Sequence, residues 1–179
     1  EVTKMAEQII GIRPTYNHFG AMNIVTCKKG TFFIADTLIN RHPATDVLID
    51  IARLTHDAVK FFAHDPIIAM LSYSNFGSDK QGSPLKVHEA INYLHKNHPE
   101  IIVDGEMQVN FALDKKLRDD MYPFNKLKGQ DVNTLVFPNL SSANSAYKLL
   151  LEMGVVETIG PIQMGLNKPI HFTDVESYA

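Results

Sequence analysis

The run Ile67-Ile68-Ala69-Met70-Leu71 is apolar at every position, with no alternation between faces. Successive side chains of a strand point to opposite sides, so such a run is stable only where both faces are buried. Helices must then cover both sides of the sheet, as they do when parallel strands are joined by helical crossovers. Residues 133–137, ending in Leu135-Val136-Phe137, are again expected to form a buried strand. Around these runs the apolar spacing turns helical. Residues 43–45 open a helix in which Leu48, Ile51, Ala52, Thr55, Ala58, Val59 and Phe62 keep a 3.6-residue period. Ser83 as N-cap and Pro84 as first helical residue precede Val87, Ala90, Ile91 and Leu94, and Asn97-His98-Pro99 close that helix.

The remaining segments fit the same scheme. Residues 21–26 and 31–37 are β-prone and separated by Cys27-Lys28-Lys29-Gly30, a hairpin turn in which Gly supplies the left-handed position. Residues 101–103 begin a strand, 107–113 are expected to be helical, 142–153 form a helix and 156–159 a short strand. Gly154, Gly160, Pro161 and Gly165 read as tight turns around that last strand. The order predicts one α/β domain over residues 1–179, a three-layer α/β/α sandwich with a mainly parallel sheet and one hairpin.

Composition narrows the partners. The 17 Lys and Arg are dispersed and the net charge is −3, so no basic stripe is available to replace phosphate counterions, and no nucleic acid partner is expected. No apolar run is long enough to span a bilayer and no signal-peptide order opens the chain, so no membrane is expected either. Cys27 has no cysteine partner, which fits a reducing cytoplasm, and its apolar neighbours make it a small packed hydrophobe. Glu1 stands where a start Met would, and Thr173-Asp174-Val175-Glu176 resemble a capping box opening a helix. The natural polypeptide is expected to continue, leaving an incomplete active site within this segment.

Ligands of such sheets bind outside the carboxyl ends of the strands. Three polar loops fall there, at 72–78, 104–108 and 139–144, and their small and amide residues could donate hydrogen bonds to an anion such as phosphate or a phosphorylated cofactor. The same residues also serve as caps and turn formers. Asp104 and Glu106 could share a face as a carboxylate pair, but no third ligand completes a metal set and a structural role is the stronger reading. His95 and His98 have ligand-like spacing at a helix end that Asn97 and Pro99 mark as frayed. The chain lacks a Gly-rich phosphate loop and a nucleophile elbow.

Longer strings carry more information. Asp104-Gly105-Glu106-Met107-Gln108, Leu135-Val136-Phe137-Pro138-Asn139-Leu140, Asn144, Tyr147-Lys148 and the stretch from Ile159-Gly160-Pro161 through Asn167-Lys168-Pro169 resemble phosphate acetyl/butyryltransferases in order and spacing. Phe33-Ile34-Ala35-Asp36-Thr37 and Ala69-Met70-Leu71-Ser72 extend the match over almost the whole chain. The resemblance implies the second domain of the phosphotransacetylase fold, which is isocitrate dehydrogenase-like, with its partner domain built from sequence outside 1–179. Gly20-Ala21-Met22-Asn23, Ser74-Asn75-Phe76-Gly77-Ser78 and Leu127-Lys128-Gly129 are similar to one branch, the C-terminal region of large bacterial malic enzymes.

That branch implies a regulatory, acetyl-CoA-sensing module with no catalytic and no metal-binding residue of its own. Oxidative decarboxylation of malate to pyruvate, NAD(P) and a divalent Mg or Mn would belong to an N-terminal part. The resemblance places Ser72, Ser74, Asn75, Asn144, Lys148, Gln163 and Lys168 near a cleft for acetyl-CoA, a related CoA ester or phosphate. It also implies contact with the rest of a malic enzyme chain and a homo-oligomer. Two departures weaken acyl transfer: Thr173 to Glu176 replace the family's Leu-Ser-Arg-Gly turn, and Glu152 replaces an Arg. The alternatives are a working phosphate acetyl/butyryltransferase and a ligand-free oligomerisation domain.

Overall fold

The computed structural model describes residues 2–170, and the capping box at 173–176 lies outside them. The chain order is α1 (Val2–Ile10), β1 (Gly20–Cys27), β2 (Gly30–Ala35), α2 (Thr45–Phe61), β3 (Ile68–Leu71), α3 (Gly82–Asn97), β4 (Val103–Met107), α4 (Val109–Leu113), α5 (Lys115–Met121), β5 (Thr134–Val136), α6 (Leu140–Glu152) and β6 (Glu157–Met164). The strands form one sheet in the order β4-β3-β5-β2-β1-β6. β2, β5, β3 and β4 are parallel, and β1 runs opposite to both β2 and β6.

Helices cover both faces, as the unbroken apolar run requires. On one side Met22, Phe33, Ala35, Ile68, Met70 and Val136 pack beneath Leu48, Ile51 and Leu54 of α2 and Val87, Ile91 and Leu94 of α3. On the other, Ala69, Leu71, Leu135 and Met107 meet Ala112 of α4 with Leu127 and Val132. A smaller cluster of Ala6, Phe19 and Leu166 holds α1 to the end of the sheet. Burying each of these larger side chains contributes about 1.5–3 kcal/mol.

Boundaries moved where a local rule met a tertiary one. β1 and β2 pair from Met22↔Ala35 to Cys27↔Gly30 around Lys28-Lys29, with Gly30 at φ +126. β2 stops at Ala35, because the Asp36 carboxylate turns the chain away from the sheet. α3 starts at Gly82 with Gln81 as N-cap and no side-chain cap, so Ser83 and Pro84 lie inside its first turn, where Pro costs no hydrogen bond. α6 starts at Leu140, two residues before the expected 142, and Asn139 caps it: its Oδ1 accepts the Ser142 N–H at 2.9 Å. β4 runs through Met107, which confines the helix expected at 107–113 to α4. α5, unexpected from its charged sequence, is capped by Asp114, whose side chain accepts from Leu117 N at 2.9 Å. β6 is longer than 156–159 and contains Gly160 and Pro161, which are therefore strand residues and not turns. Pro is tolerated there because β6 is an edge strand.

Candidate functional site

The carboxyl ends of β2, β3, β4 and β5 lie side by side, and the loops leaving them meet along one rim. The loop after β3 is built around Glu106, which is fully buried. A carboxylate in that position is stable only when hydrogen-bonded or paired. Its Oε1 accepts from the Ser74 hydroxyl at 3.0 Å and from Gly77 N–H at 2.6 Å, while Oε2 faces Nδ1 of His88 on α3 at 3.3 Å. The Ser74 hydroxyl also accepts from Asp79 N–H at 3.0 Å and lies 2.8 Å from that of Ser78. Asn75 Oδ1 accepts the Gln108 N–H at 2.8 Å, and Gln108 Nε2 donates to Tyr73 O at 2.7 Å. The loops after β3 and β4 thus form one hydrogen-bonded frame.

A second frame follows β2. Asp36 Oδ1 accepts from Leu38 N–H at 3.0 Å and Ile39 N–H at 3.1 Å, and Oδ2 from Asn40 N–H at 2.9 Å. Thr37 donates its hydroxyl to Asn23 Oδ1 at 2.6 Å, and its carbonyl accepts from Asn144 Nδ2 at 3.3 Å. Asn144 sits in the second turn of α6, above the end of β2. Gln163 lies on β6 opposite Ala21, so it shares a sheet face with Asn23. The Nδ2 of Asn23 and Nε2 of Gln163 are both buried without a hydrogen-bond partner. Gly160 leaves room for the Asn23 amide: a Cβ there would lie 2.8 Å from its Nδ2.

The seven residues placed near a cleft by resemblance therefore divide. Ser72, Ser74 and Asn75 belong to the frame after β3, whereas Asn144 and Gln163 lie with Asn23 and Thr37 on the β2, β1 and β6 side. Lys168 is exposed just beyond β6. Lys148 is exposed past the middle of α6, about 12 Å along the axis from Leu140 at 1.5 Å per residue, away from the rim. Glu152, at about 18 Å along the same axis, ends the helix, so the acidic replacement there does not face the rim loops of this chain.

Asp104 and Glu106 do not act as a pair, because the β3–β4 register shifts between Met70 and Leu71 and sends them to different partners. Asp104 Oδ2 accepts from Lys126 N–H at 2.6 Å. His95 and His98 also separate, His95 Nε2 lying 2.8 Å from Val103 O and His98 Nδ1 3.3 Å from Glu100. Among the described residues no three His, Cys, Asp or Glu side chains form a group that could hold a metal. Cys27 is half-buried at the hairpin, its sulfur accepting from Lys29 N–H.

The structural role expected for Glu106 is that of a loop anchor, whereas the buried amide of Asn23 and Arg41, an exposed cation whose carbonyl accepts from Leu140 N–H at the start of α6, were not singled out from sequence. Only Asn23 carried a local signal, a lone amide in the apolar run Ala21-Met22-Asn23-Ile24-Val25.

Comparison with known proteins identifies the family and agrees with the fold. The NADP-dependent malic enzyme of Salmonella typhimurium is 36% identical over 168 residues, covering 93% of this chain and 22% of that protein. The phosphate acetyltransferase of Bacillus subtilis is 32% identical over 171 residues, covering 96% of this chain and 53% of that protein. A phosphotransacetylase structure from Streptococcus pyogenes superposes with a TM-score of 0.86 at 36% identity, covering 93% of this chain and 51% of that one. The chain thus spans about half the length of the transferases it matches and about a fifth of the malic enzyme. The family model for phosphate acetyl/butaryl transferase matches residues 1–175, and the chain belongs to that family.

Proposed function

We propose that this chain is the CoA-ester-sensing, phosphotransacetylase-like module of a malic enzyme, binding acetyl-CoA at the rim and performing no acyl transfer itself. The observation that carries this reading is the commitment of Ser74 and Asp36 at the rim to hydrogen bonds within their own frames. The Ser74 hydroxyl donates to Glu106 and accepts from Asp79 N–H, and Asp36 is saturated by backbone donors. Such groups hold a shape and are poor candidates for nucleophile or base. Two donors left over on the β1 and β6 side, Asn23 Nδ2 and Gln163 Nε2, require oxygen acceptors, which a phosphorylated thioester offers in number. NAD(P) and the divalent metal belong to the malate-oxidising part of the larger protein.

Regulation follows only if acetyl-CoA binds two states of the assembly with different affinity. Malate-dependent NAD(P) reduction by the full-length protein, with and without acetyl-CoA, tests this beside a form lacking the family domain. An acetyl-CoA effect that disappears with the domain supports the reading. Lys168→Gln and Arg41→Gln should then raise the acetyl-CoA concentration needed for half-effect, with Lys148→Gln as the off-rim control. A second reading, a working phosphate acetyl/butyryltransferase, is favoured by the 32% identity to the Bacillus subtilis enzyme over 96% of this chain. Conversion of acetyl phosphate and CoA to acetyl-CoA, without malate oxidation, would establish it in place of the first.

A further inference from the structure

The helical layer on the α4–α6 side is incomplete. Between these helices lies a slot with the largely covered Val25, Ile34 and Leu135 as its floor and Leu150, Val155 and Val156 along one wall. Leu113 and Phe32 form the other, and the cavity measures about 550 Å³. An adjoining cavity of about 490 Å³ shares Lys29, Phe32 and Leu113 with it. Small-molecule sites fall in the range of about 300–1,000 Å³ and have mostly apolar walls with a few placed polar groups. Water gains little in such a slot, which offers few hydrogen-bond partners.

The polar groups at this slot all come from the hairpin turn: Cys27, Lys28 and Lys29. Lys28 and Lys29 are exposed, and neither has a carboxylate partner in the ion pairs formed among the described residues. Asp131, the acidic residue lining the adjoining cavity, is already paired with Lys115 at 2.9 Å. An aliphatic slot with two unneutralised ammonium groups at its mouth is complementary to a chain carrying one anionic end. The hairpin turn and the start of β2 mark the amino end of the parallel strands, so the slot lies at the opposite end of the sheet from the rim.

We propose that this slot binds an aliphatic carboxylate, its chain lying on Val25, Ile34 and Leu135 and its carboxylate meeting Lys28 and Lys29. The site is independent of the rim and of any CoA ester bound there. Titration of the full chain with butyrate, hexanoate, octanoate and decanoate, followed by calorimetry, tests it. Affinity is expected to rise by up to about fourfold per added methylene until the slot is filled. Octanoate should bind more tightly than octanol. The double variant Lys28→Gln, Lys29→Gln should erase that difference while keeping the length dependence. Val155→Trp, a change at a half-exposed wall position, should block binding without moving the urea midpoint. Affinity independent of chain length, or unchanged in Val155→Trp, overturns the proposal. So does an absence of carboxylate binding together with self-association that Val155→Trp disrupts, which would assign the slot to a second copy.

Discussion

Glu106 has no solvent around it, so its energetics depend on the groups that touch it. Glu106→Ala would leave the Ser74 hydroxyl and the Gly77 N–H without their acceptor. Each buried donor left unpaired costs about 1–3 kcal/mol, so the urea midpoint should fall clearly; an unchanged midpoint would refute the anchoring role. Glu106→Gln, which keeps one acceptor oxygen, should lie between. His56 tests the opposite kind of burial. Removal from water holds its imidazole below the ordinary 6.5, against the pull of neighbouring Asp57. The unfolded chain therefore takes up this proton first as pH falls, so the ring's contribution to stability is complete above 6.5 and declines below it. Urea midpoints measured on either side of that value should drop on acidification, and His56→Gln should flatten that part of the profile.

At the scale of elements, the short helices are held by polar contacts more than by apolar faces. Arg118 of α5 is fully buried, and its guanidinium donates to Ala112 O at 3.2 Å, Leu127 O at 3.0 Å and Gln130 O at 2.7 Å. One side chain thereby joins the end of α4 to the loop that leads into β5. A lysine cannot reproduce this planar, forked set of donors. Arg118→Lys should cost about 1–3 kcal/mol for the carbonyls left unmatched, read as a lower unfolding temperature. α6 depends on Asn139 in the same way: Asn139→Ala should destabilise by about 1 kcal/mol and Asn139→Asp should restore most of it.

At the scale of the molecule, β3 and β5 lie inside the sheet while β6 is at its edge, with Glu157, Ile159, Gly160 and Pro161 exposed. Hydrogen exchange should follow that order. Amides of β3 and β5 are expected to exchange at the rate of global unfolding, and those of β6 near Glu157 and Ile159 well before it. Protection of β6 equal to that of β5 would show that another chain or segment covers the edge.

The layered architecture was legible in the sequence because it rests on local pattern. The unbroken run from Ile67 to Leu71 demanded helices on both faces, and the spacing of Leu48, Ile51, Thr55 and Val59 marked the helix that covers one of them. The family was legible too, since its motifs are contiguous strings. The short helix α5 was not, because a single buried Arg118 and the Asp114 cap specify it, and charged residues carry no apolar period. Nor was the length of β6: Gly160 and Pro161 break strands in most settings, and only an edge position beside Asn23 accommodates them. The candidate site divided for a similar reason. Sequence could assign Ser74 to its loop and Asn144 and Lys148 to their helix, but a helix rise of 1.5 Å per residue carries Lys148 away from the rim, and a shift in strand register parts Asp104 from Glu106. Residue type and spacing determined the central strands and the long helices; packing and isolated polar contacts decided the short helix, the extent of the edge strand and which side chains meet.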